Sequence, residues 1–240
     1  MKSQEEILKR IICLLCFTDR AYLESPVIEG IRRSLKERED QRQIINDWLK
    51  RNHYYENLTD KEKRIMETPV TGTMNNDIAR YSYDYECIRP LMWSVGLVDT
   101  LSGYDDYGTG NLHLPIRIEP VHTVEKLKEF CKEIPIEMVE RQREMAMLWY
   151  WRCIERRISG MKNINYLDAV KETFGMKHML LLRGNKGFDR TKGDFTVRGR
   201  TVASLSKLEA ANVELYSERR YYAFEWLLSD DAWDEIDLVC

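Results

Sequence analysis

Two arginines and two carboxylates stand where helical packing would place charge inside the protein. Arg152 belongs to the nearly continuous apolar run MAMLWYWRCI, and Arg219 precedes a run of tyrosine, phenylalanine and tryptophan. Asp84 and Glu86 belong to another apolar helical stretch. A buried guanidinium needs a carboxylate, a carbonyl or an aromatic ring beside it, because an unpaired buried charge is costly. These four residues are therefore a candidate interior polar cluster.

Such a cluster has two interpretations. It is what a buried ion-pair network requires, and helical proteins can set their register with such pairs. It is equally what a small-anion site or a general acid/base site requires. We favour the ion-pair network, and an anion-binding protein or enzyme with an interior Arg/Glu pocket is the alternative. Nearby charges are expected to be solvated or to cap helices, namely Glu218, Arg220, Asp234 and Glu235.

The glycine-rich basic segment 183–200 is a second candidate. It holds four glycines and six basic residues against two acidic ones. The stretch from Gly187 to Gly193 has the wrong spacing for a phosphate-binding loop and lacks a serine or threonine after its lysine. The segment is predicted to be a loop that could bind a protein, an anion or a nucleic acid. The candidate binding residues are Arg183, Lys186, Arg190, Lys192, Arg198 and Arg200.

Neither a catalytic residue set, nor a metal site, nor a cofactor is predicted. Cys13 and Cys16 form a Cys-x-x-Cys, but the surrounding apolar residues are typical of a buried helix face. The four histidines show no paired ligand spacing, and no Gly-x-Ser-x-Gly nucleophile elbow occurs. Asp105 and Asp106 lie in a loop-like segment, 100–120, where an acidic pair binds a cation or is simply hydrated.

Composition narrows the class of protein. The chain has 240 residues, enough to bury a large core in one domain or two, and its 13 tyrosines and six tryptophans are typical of a globular protein. Its 37 basic and 40 acidic residues leave a net charge of −3, which argues against nucleic-acid binding. The apolar run Ile11 to Phe17 is too short to cross a membrane. We therefore expect a cytoplasmic protein.

Helical periodicity accounts for most of the chain. The predicted helices are 4–17, 31–49, 59–66, 77–98, 123–132, 135–157, 165–173 and 205–228. Thr59 and Glu62 have the spacing of a capping box, and Pro90 predicts a kink or a break in its helix.

The predicted fold is mostly α. We expect one domain over residues 1–240, built as an orthogonal array of about eight to ten helices. At most one small β-hairpin is expected, near residues 195–202. The helices 77–98, 136–157 and 205–228 are expected to form the central layer, since their sequences are the most apolar.

Several motifs, in order along the chain, resemble a family catalogued only as domain of unknown function 4272. Trp48-Leu49, Leu58 to Glu62 and Pro69 are similar to its opening helices. Tyr83-Asp84 stands where the family has Trp-Arg, so a catalytic role of that arginine would not carry over. The matching positions are Glu86, Trp93, Gly96, Glu218, Arg219, Trp226, Trp233 and Asp234. The resemblance implies a soluble bacterial protein without an assigned activity.

These observations lead to one functional hypothesis and two alternatives. We expect a non-catalytic protein that binds another protein, for example an immunity or accessory protein, through the loops 100–120 or 183–200. The first alternative is the interior anion pocket or enzyme described above. The second is nucleic-acid binding through residues 183–200, whose affinity would fall steeply with salt.

Overall fold

The computed structural model describes residues 1–25, 27–28, 31–72, 83–104, 123–160 and 164–239. These residues form nine α-helices, so the prediction of a mostly α-helical protein is confirmed. The helices are α1 Gln4–Tyr22, α2 Leu35–Arg51, α3 Asp60–Glu67, α4 Tyr85–Ser94, α5 Val124–Lys128, α6 Ile136–Ser159, α7 Tyr166–Phe174, α8 Met176–Arg183 and α9 Lys207–Leu228. Short 3-10 helices span Tyr55–Asn57, Val202–Ser204 and Trp233–Glu235.

Capping boxes fix where the first three helices begin. A hydroxyl accepts the backbone N–H of the residue three positions on, and that residue's glutamate accepts the N–H of the cap. The pairs are Ser3 with Glu6, Ser34 with Glu37 and Thr59 with Glu62. The capping box predicted at Thr59 is therefore confirmed.

Helix α4 corrects the prediction made for Pro90. The helix is continuous from Tyr85 to Ser94 with Pro90 inside it, so of the kink or break predicted there the break is wrong, and the kink stays a prediction. The proline removes one backbone hydrogen bond, whereas Ile88, Leu91 and Met92 are fully buried around it and stabilise the helix. Residues 77–82 of the predicted helix lie outside the described part of the chain.

A small antiparallel sheet includes the predicted hairpin and adds one strand. Strands β1 Val27–Ile28 and β2 Ile31–Arg32 pair with each other, whereas β3 Phe188–Asp189, β4 Asp194–Val197 and β5 Arg200–Thr201 form a three-stranded sheet in that order. Phe188 lies opposite Phe195, and Val197 lies opposite Arg200. Arg198 and Gly199 both have positive φ, 50° and 76°, as a two-residue hairpin turn requires.

The described residues divide into two compact units. The first takes in those within Met1–Asp99 and His113–Ile134, together with Trp226–Ile236. The second takes in those within Thr100–Leu112, Pro135–Glu225 and Asp237–Cys240. Each unit buries its own apolar side chains, such as Leu8, Ile11 and Phe17 in the first and Leu148, Trp149 and Phe195 in the second. The single-domain organisation over residues 1–240 stays a prediction.

Candidate functional site

Arg152, on α6 in the second unit, is fully buried against Asp194. Its Nε donates to Oδ1 of Asp194 at 2.7 Å and its Nη2 to Oδ2 at 3.0 Å. Its Nη1 lies 3.4 Å from a carboxylate oxygen of Glu155, and its Cζ lies 3.7 Å from the centroid of the Tyr166 ring. The guanidinium of Arg152 is thus bound by this chain's own carboxylates and covered by its own aromatic ring.

The carboxylate of Asp194 is equally engaged. Besides Arg152, it accepts the backbone N–H of Phe195 at 2.8 Å and that of Ala203 at 3.2 Å. The Tyr166 hydroxyl donates to Glu155 at 2.6 Å, and burial together with this bond raises the pKa of Tyr166 above its usual value. The Asp194 carboxylate thus accepts four hydrogen bonds, two from Arg152 and one each from the backbone N–H groups of Phe195 and Ala203. It has a structural role, because it joins strand β4 to helix α6.

Arg219 and Glu218 occupy the middle of α9. Arg219 is 9% exposed, and its Nη2 lies 3.9 Å from a carboxylate oxygen of Glu218. Its Cζ is 6.0 Å from the centroid of the Tyr222 ring. Arg219 is therefore buried, as expected of a member of the predicted polar cluster.

Arg220 corrects an expectation, because it is buried rather than solvated. Its Nη1 donates to the carbonyl of Ser102 at 2.8 Å and its Nη2 to the Ser102 hydroxyl at 2.9 Å. Its Cζ lies 4.7 Å from the centroid of the Tyr104 ring, whose other neighbour is the stacked ring of Trp149. The middle of α9 is buried around most of its circumference, so neighbouring arginines are both enclosed.

Asp84 and Glu86 lie at the start of α4 in the first unit, each 5% exposed. Arg152 and Arg219 belong to the second unit. That these four residues form one cluster stays a prediction.

Sequence reasoning missed Asp194 as the carboxylate of Arg152, because it lies 42 residues away in a segment interpreted as a surface loop. The available signal was its position between Gly193 and Phe195, next to the predicted hairpin.

The motif positions of the first unit have structural roles. Trp93 is 5% exposed in α4. Gly96 has φ +69°, and a Cβ on it would lie 2.5 Å from the Cβ of Lys132, so only glycine fits this turn. Trp233 packs edge-to-face on Trp226 with centroids 5.2 Å apart. Asp234, by contrast, is exposed.

Four further buried arginines in the described part of the first unit were not predicted, namely Arg10, Arg20, Arg38 and Arg42. Three of them have a carboxylate partner, and the pairs are Arg10 with Glu62, Arg20 with Glu24 and Arg42 with Glu39. Arg10 also lies 4.3 Å from the centroid of the Trp233 ring. Arg42 lies in the strongly charged stretch 31–43, which the sequence presents as the outside of a helix.

All six cations of the segment 183–200 are exposed. At least Arg190, Lys192 and Arg200 contact other parts of the chain. Arg190 Nε donates to the carbonyl of Arg183 at 3.0 Å, Lys192 donates to the carbonyl of Gly199 at 2.8 Å, and Arg200 forms an ion pair with Glu209. These contacts stabilise the turns of the sheet and leave fewer free cations for a polyanion.

A groove on the surface of the second unit separates α6 from α8. It encloses about 440 Å³ and is lined by Glu137, Glu140, Arg141, Glu144, Lys177, Leu180 and Leu181. Lys177 pairs with Glu144 at 2.6 Å, whereas neither Glu137 nor Glu140 forms an ion pair within the described residues. Leu180 is 56% exposed, and Met176, one turn earlier on α8, is 51% exposed. The groove thus combines the solvent-exposed apolar side chain of Leu180 with two carboxylates that have no ion-pair partner among the described residues.

The buried cysteines Cys13, Cys16 and Cys153 are poor nucleophiles, because burial raises the pKa of each thiol. Cys13 and Cys16 are both buried in α1, which confirms their predicted place in the core. Burial raises the pKa of Cys13 to about 12 and that of Cys153 to about 12, so neither is a thiolate at neutral pH.

In the described ranges no three His, Cys, Asp or Glu side chains come close enough to hold a metal ion. Asp105 and Asp106 lie outside those ranges.

The described helices include none with both the length and the apolar character needed to cross a membrane.

Comparison with known proteins identifies one similarity. A family model described as domain of unknown function (DUF4272) matches residues 1–179. The match includes Glu86, Trp93 and Gly96 and ends before the motif positions between 218 and 234. No curated protein and no solved structure matches the chain significantly.

Proposed function

This chain belongs to the DUF4272 family, and we propose that it works by binding another protein in the groove between α6 and α8. The observation that carries the proposal is the exposed side chain of Leu180, which lines the groove together with the carboxylates Glu137 and Glu140, neither of which has an ion-pair partner among the described residues. Exposed apolar side chains rimmed by charge are typical of protein interaction sites.

The charges of the groove indicate what kind of segment binds there. Glu144 is neutralised by Lys177, so Glu137 and Glu140 face only Arg141 among the lining charges. Two carboxylates against one guanidinium leave a net charge of −1. The partner is therefore a segment that inserts an apolar side chain against Leu180 and places a lysine or arginine beside Glu137 or Glu140.

The buried charges favour this function over an interior active site. Arg152 and Asp194 bind each other with two hydrogen bonds, and Asp194 accepts two more from the backbone. An anion site or acid/base site would need one of these groups to be available to a substrate.

We extend the proposal to a cytoplasmic location, because the described cysteines are free thiols. Fractionation of native cells tests this location.

Site-specific photo-crosslinking tests the groove. A photoreactive phenylalanine analogue replaces Leu180 in one variant and Leu208 in another, and each purified protein is irradiated in native lysate. Leu208 is the matched control, since it is an apolar residue of the second unit that is 73% exposed. We expect one protein adduct from position 180 that is missing from position 208, and a cross-linked peptide with an apolar residue next to lysine or arginine.

Binding of the purified partner then provides the quantitative test. We expect Leu180→Glu to weaken binding at least about tenfold, equivalent to about 1.4 kcal/mol, and Leu208→Glu to leave it unchanged. Equal adducts from both positions, a cross-link only to a second copy of this chain, or an unaltered affinity of Leu180→Glu would each overturn the proposal.

A further inference from the structure

The groove between α6 and α8 is built from one stripe of side chains on each helix. Its lining residues on α6 are Glu137, Glu140, Arg141 and Glu144, and on α8 they are Lys177, Leu180 and Leu181. The four positions on α6 have the spacing i, i+3, i+4 and i+7, so they share one face of that helix. At about 1.5 Å per residue this face is about 10 Å long, which is two helical turns.

The volume of the groove is comparable to part of a helix. A helix with its side chains is about 10 Å wide and rises about 5.4 Å per turn, so one turn occupies about 420 Å³. The groove encloses about 440 Å³. That volume accommodates two turns of a helix sunk to half of their width, and two turns is also the length of the lining face of α6.

Other ways of binding a peptide fit these walls less well. A segment that adds a strand needs a row of unpaired backbone groups, whereas the backbone groups of a helix bond mainly within the helix. A polyproline segment needs aromatic rings, and none of the described residues that line the groove is aromatic. A phosphorylated segment needs a cluster of arginines, and Arg141 is the one arginine among the described lining residues.

The spacing of the carboxylates also favours a helix. Glu137 and Glu140 are both exposed, and their positions on α6 are about 4.5 Å apart along the helix axis. Two cations at i and i+3 or i+4 of a partner helix have a separation of about 4.5–6 Å along its axis, so each can face one carboxylate. On one face of an extended strand, neighbouring side chains are about 6.6 Å apart, which matches this pair less closely.

We propose that the groove binds an amphipathic α-helix of another protein. Its apolar side chains pack against Leu180 and Leu181, and a pair of lysines or arginines at i and i+3 or i+4 faces Glu137 and Glu140. This inference rests on the proposed function, because it names the conformation of the segment that the partner inserts. Such a helix is recognised through side chains one turn apart.

Two fluorescent peptides of about 14 residues test the inference, since isolated helices of this length are marginal and fold when they bind. Both have the same composition of leucine, lysine and glutamine. In the helical peptide leucines and lysines recur at i, i+3, i+4 and i+7 on adjacent faces, whereas in the alternating peptide they follow a period of two. Binding is measured by fluorescence anisotropy at constant ionic strength, and circular dichroism measures the helix content of the bound peptide.

Two variants of the groove and two matched controls complete the design. Leu180→Ser removes the apolar contact, and Glu140→Gln removes one carboxylate. Leu208→Ser and Glu172→Gln are the controls, because both residues are exposed in the second unit and neither lines the groove.

We expect the helical peptide to bind the wild type saturably, at least about tenfold more tightly than the alternating peptide, and to gain helix content. Leu180→Ser should weaken binding about tenfold and each control less than about twofold. Glu140→Gln should weaken it about threefold, as expected of an exposed ion pair. Absence of saturable binding, equal or tighter binding of the alternating peptide, or equal losses in the groove and control variants would overturn the inference.

The photo-crosslinking experiment distinguishes this inference from the proposed function. An adduct at position 180 whose cross-linked segment binds without gaining helix content overturns the helical conformation and leaves the proposed function intact. Specific binding of the helical peptide without any adduct from native lysate has the opposite meaning, because the groove then accepts a helix although no partner protein uses it.

Discussion

At the scale of single residues, buried arginines dominate both units, and each is bound by a different set of oxygen atoms. Arg152 has two carboxylates and an aromatic ring, Arg220 has carbonyl and hydroxyl groups of Ser102, and Arg38 has carbonyl groups alone. Because a buried charge is stabilised by what surrounds it, these sets indicate which arginine is available to a ligand. By this criterion Arg152, whose guanidinium is bound by carboxylates of this chain, is structural.

The pair formed by Arg152 and Asp194 yields a prediction about stability. Asp194→Asn keeps the shape of the side chain but leaves the guanidinium of Arg152 buried without its main counter-charge. Breaking one partner of such a buried pair costs about 3–5 kcal/mol, and we expect a loss of this size in urea-induced unfolding. Asp99→Asn is the control, because its ion pair with Lys132 is 84% exposed at Asp99 and should contribute less than about 1 kcal/mol. A loss below about 1 kcal/mol for Asp194→Asn would contradict the structural role of this pair.

At the scale of secondary-structure elements, capping boxes can carry more than the start of a helix. Glu62 of α3 accepts the backbone N–H of Thr59 at 2.8 Å and also pairs with the buried Arg10. Glu37 of α2 makes the same capping contact with Ser34 but is exposed and has no buried arginine partner. The same local motif therefore contributes to tertiary packing in α3 and only to the start of the helix in α2.

Matched substitutions separate the two contributions. Glutamine serves in a capping box almost as well as glutamate, so Glu37→Gln should change the free energy of unfolding by less than about 0.5 kcal/mol. Glu62→Gln should cost about 3 kcal/mol or more, because it removes the counter-charge of Arg10. Urea unfolding followed by circular dichroism measures both, and equal losses in the two variants would refute the tertiary role of Glu62.

The three-stranded sheet β3–β5 holds Asp194, the partner of Arg152 that the sequence analysis did not identify. The segment 183–200 was interpreted as a loop with at most a small β-hairpin near residues 195–202. The structure contains that hairpin, with Asp194 and Phe195 buried in β4, and adds strand β3. Strand β3, with only two residues, was missed because an element that short contains too few alternations for sequence periodicity to reveal it. Helix α8 was also missed, because a helix of eight residues after Gly175 shows only two turns of periodicity.

At the scale of the whole molecule, titrating groups predict a plateau of stability near neutral pH. Ion pairs and hydrogen bonds lower the pKa of Glu5, Glu39 and Glu209 from 4.5 to about 2. Burial raises the pKa of Cys13 and Cys153 from 9.0 to about 12. The lowered carboxylate pKa values stabilise the folded state above pH 4.5, and this contribution disappears as pH falls towards about 2. The raised thiol pKa values stabilise it below pH 9.0, and this contribution disappears as pH rises towards about 12.

The expected result is a urea midpoint that is nearly constant between about pH 5 and 9 and falls on both sides. Cys153→Ala is the variant that tests the alkaline side, since removing one buried thiol should make the decline above pH 9.0 shallower without altering the acid side. A midpoint that rises above pH 9.0, or a decline identical in Cys153→Ala and wild type, would contradict the role of the buried thiols.

Much of the architecture follows from the sequence by itself. The 3.6-residue spacing of apolar positions, the Thr59 capping box and Pro135 at a helix start determine most helices, because these signals act within one or two turns. Family membership likewise rests on local motifs. Only the tertiary structure decided which charge meets which, such as Asp194 for Arg152 and Glu62 for Arg10. Such pairings join residues far apart in the chain, and local periodicity has no information about contacts at that range.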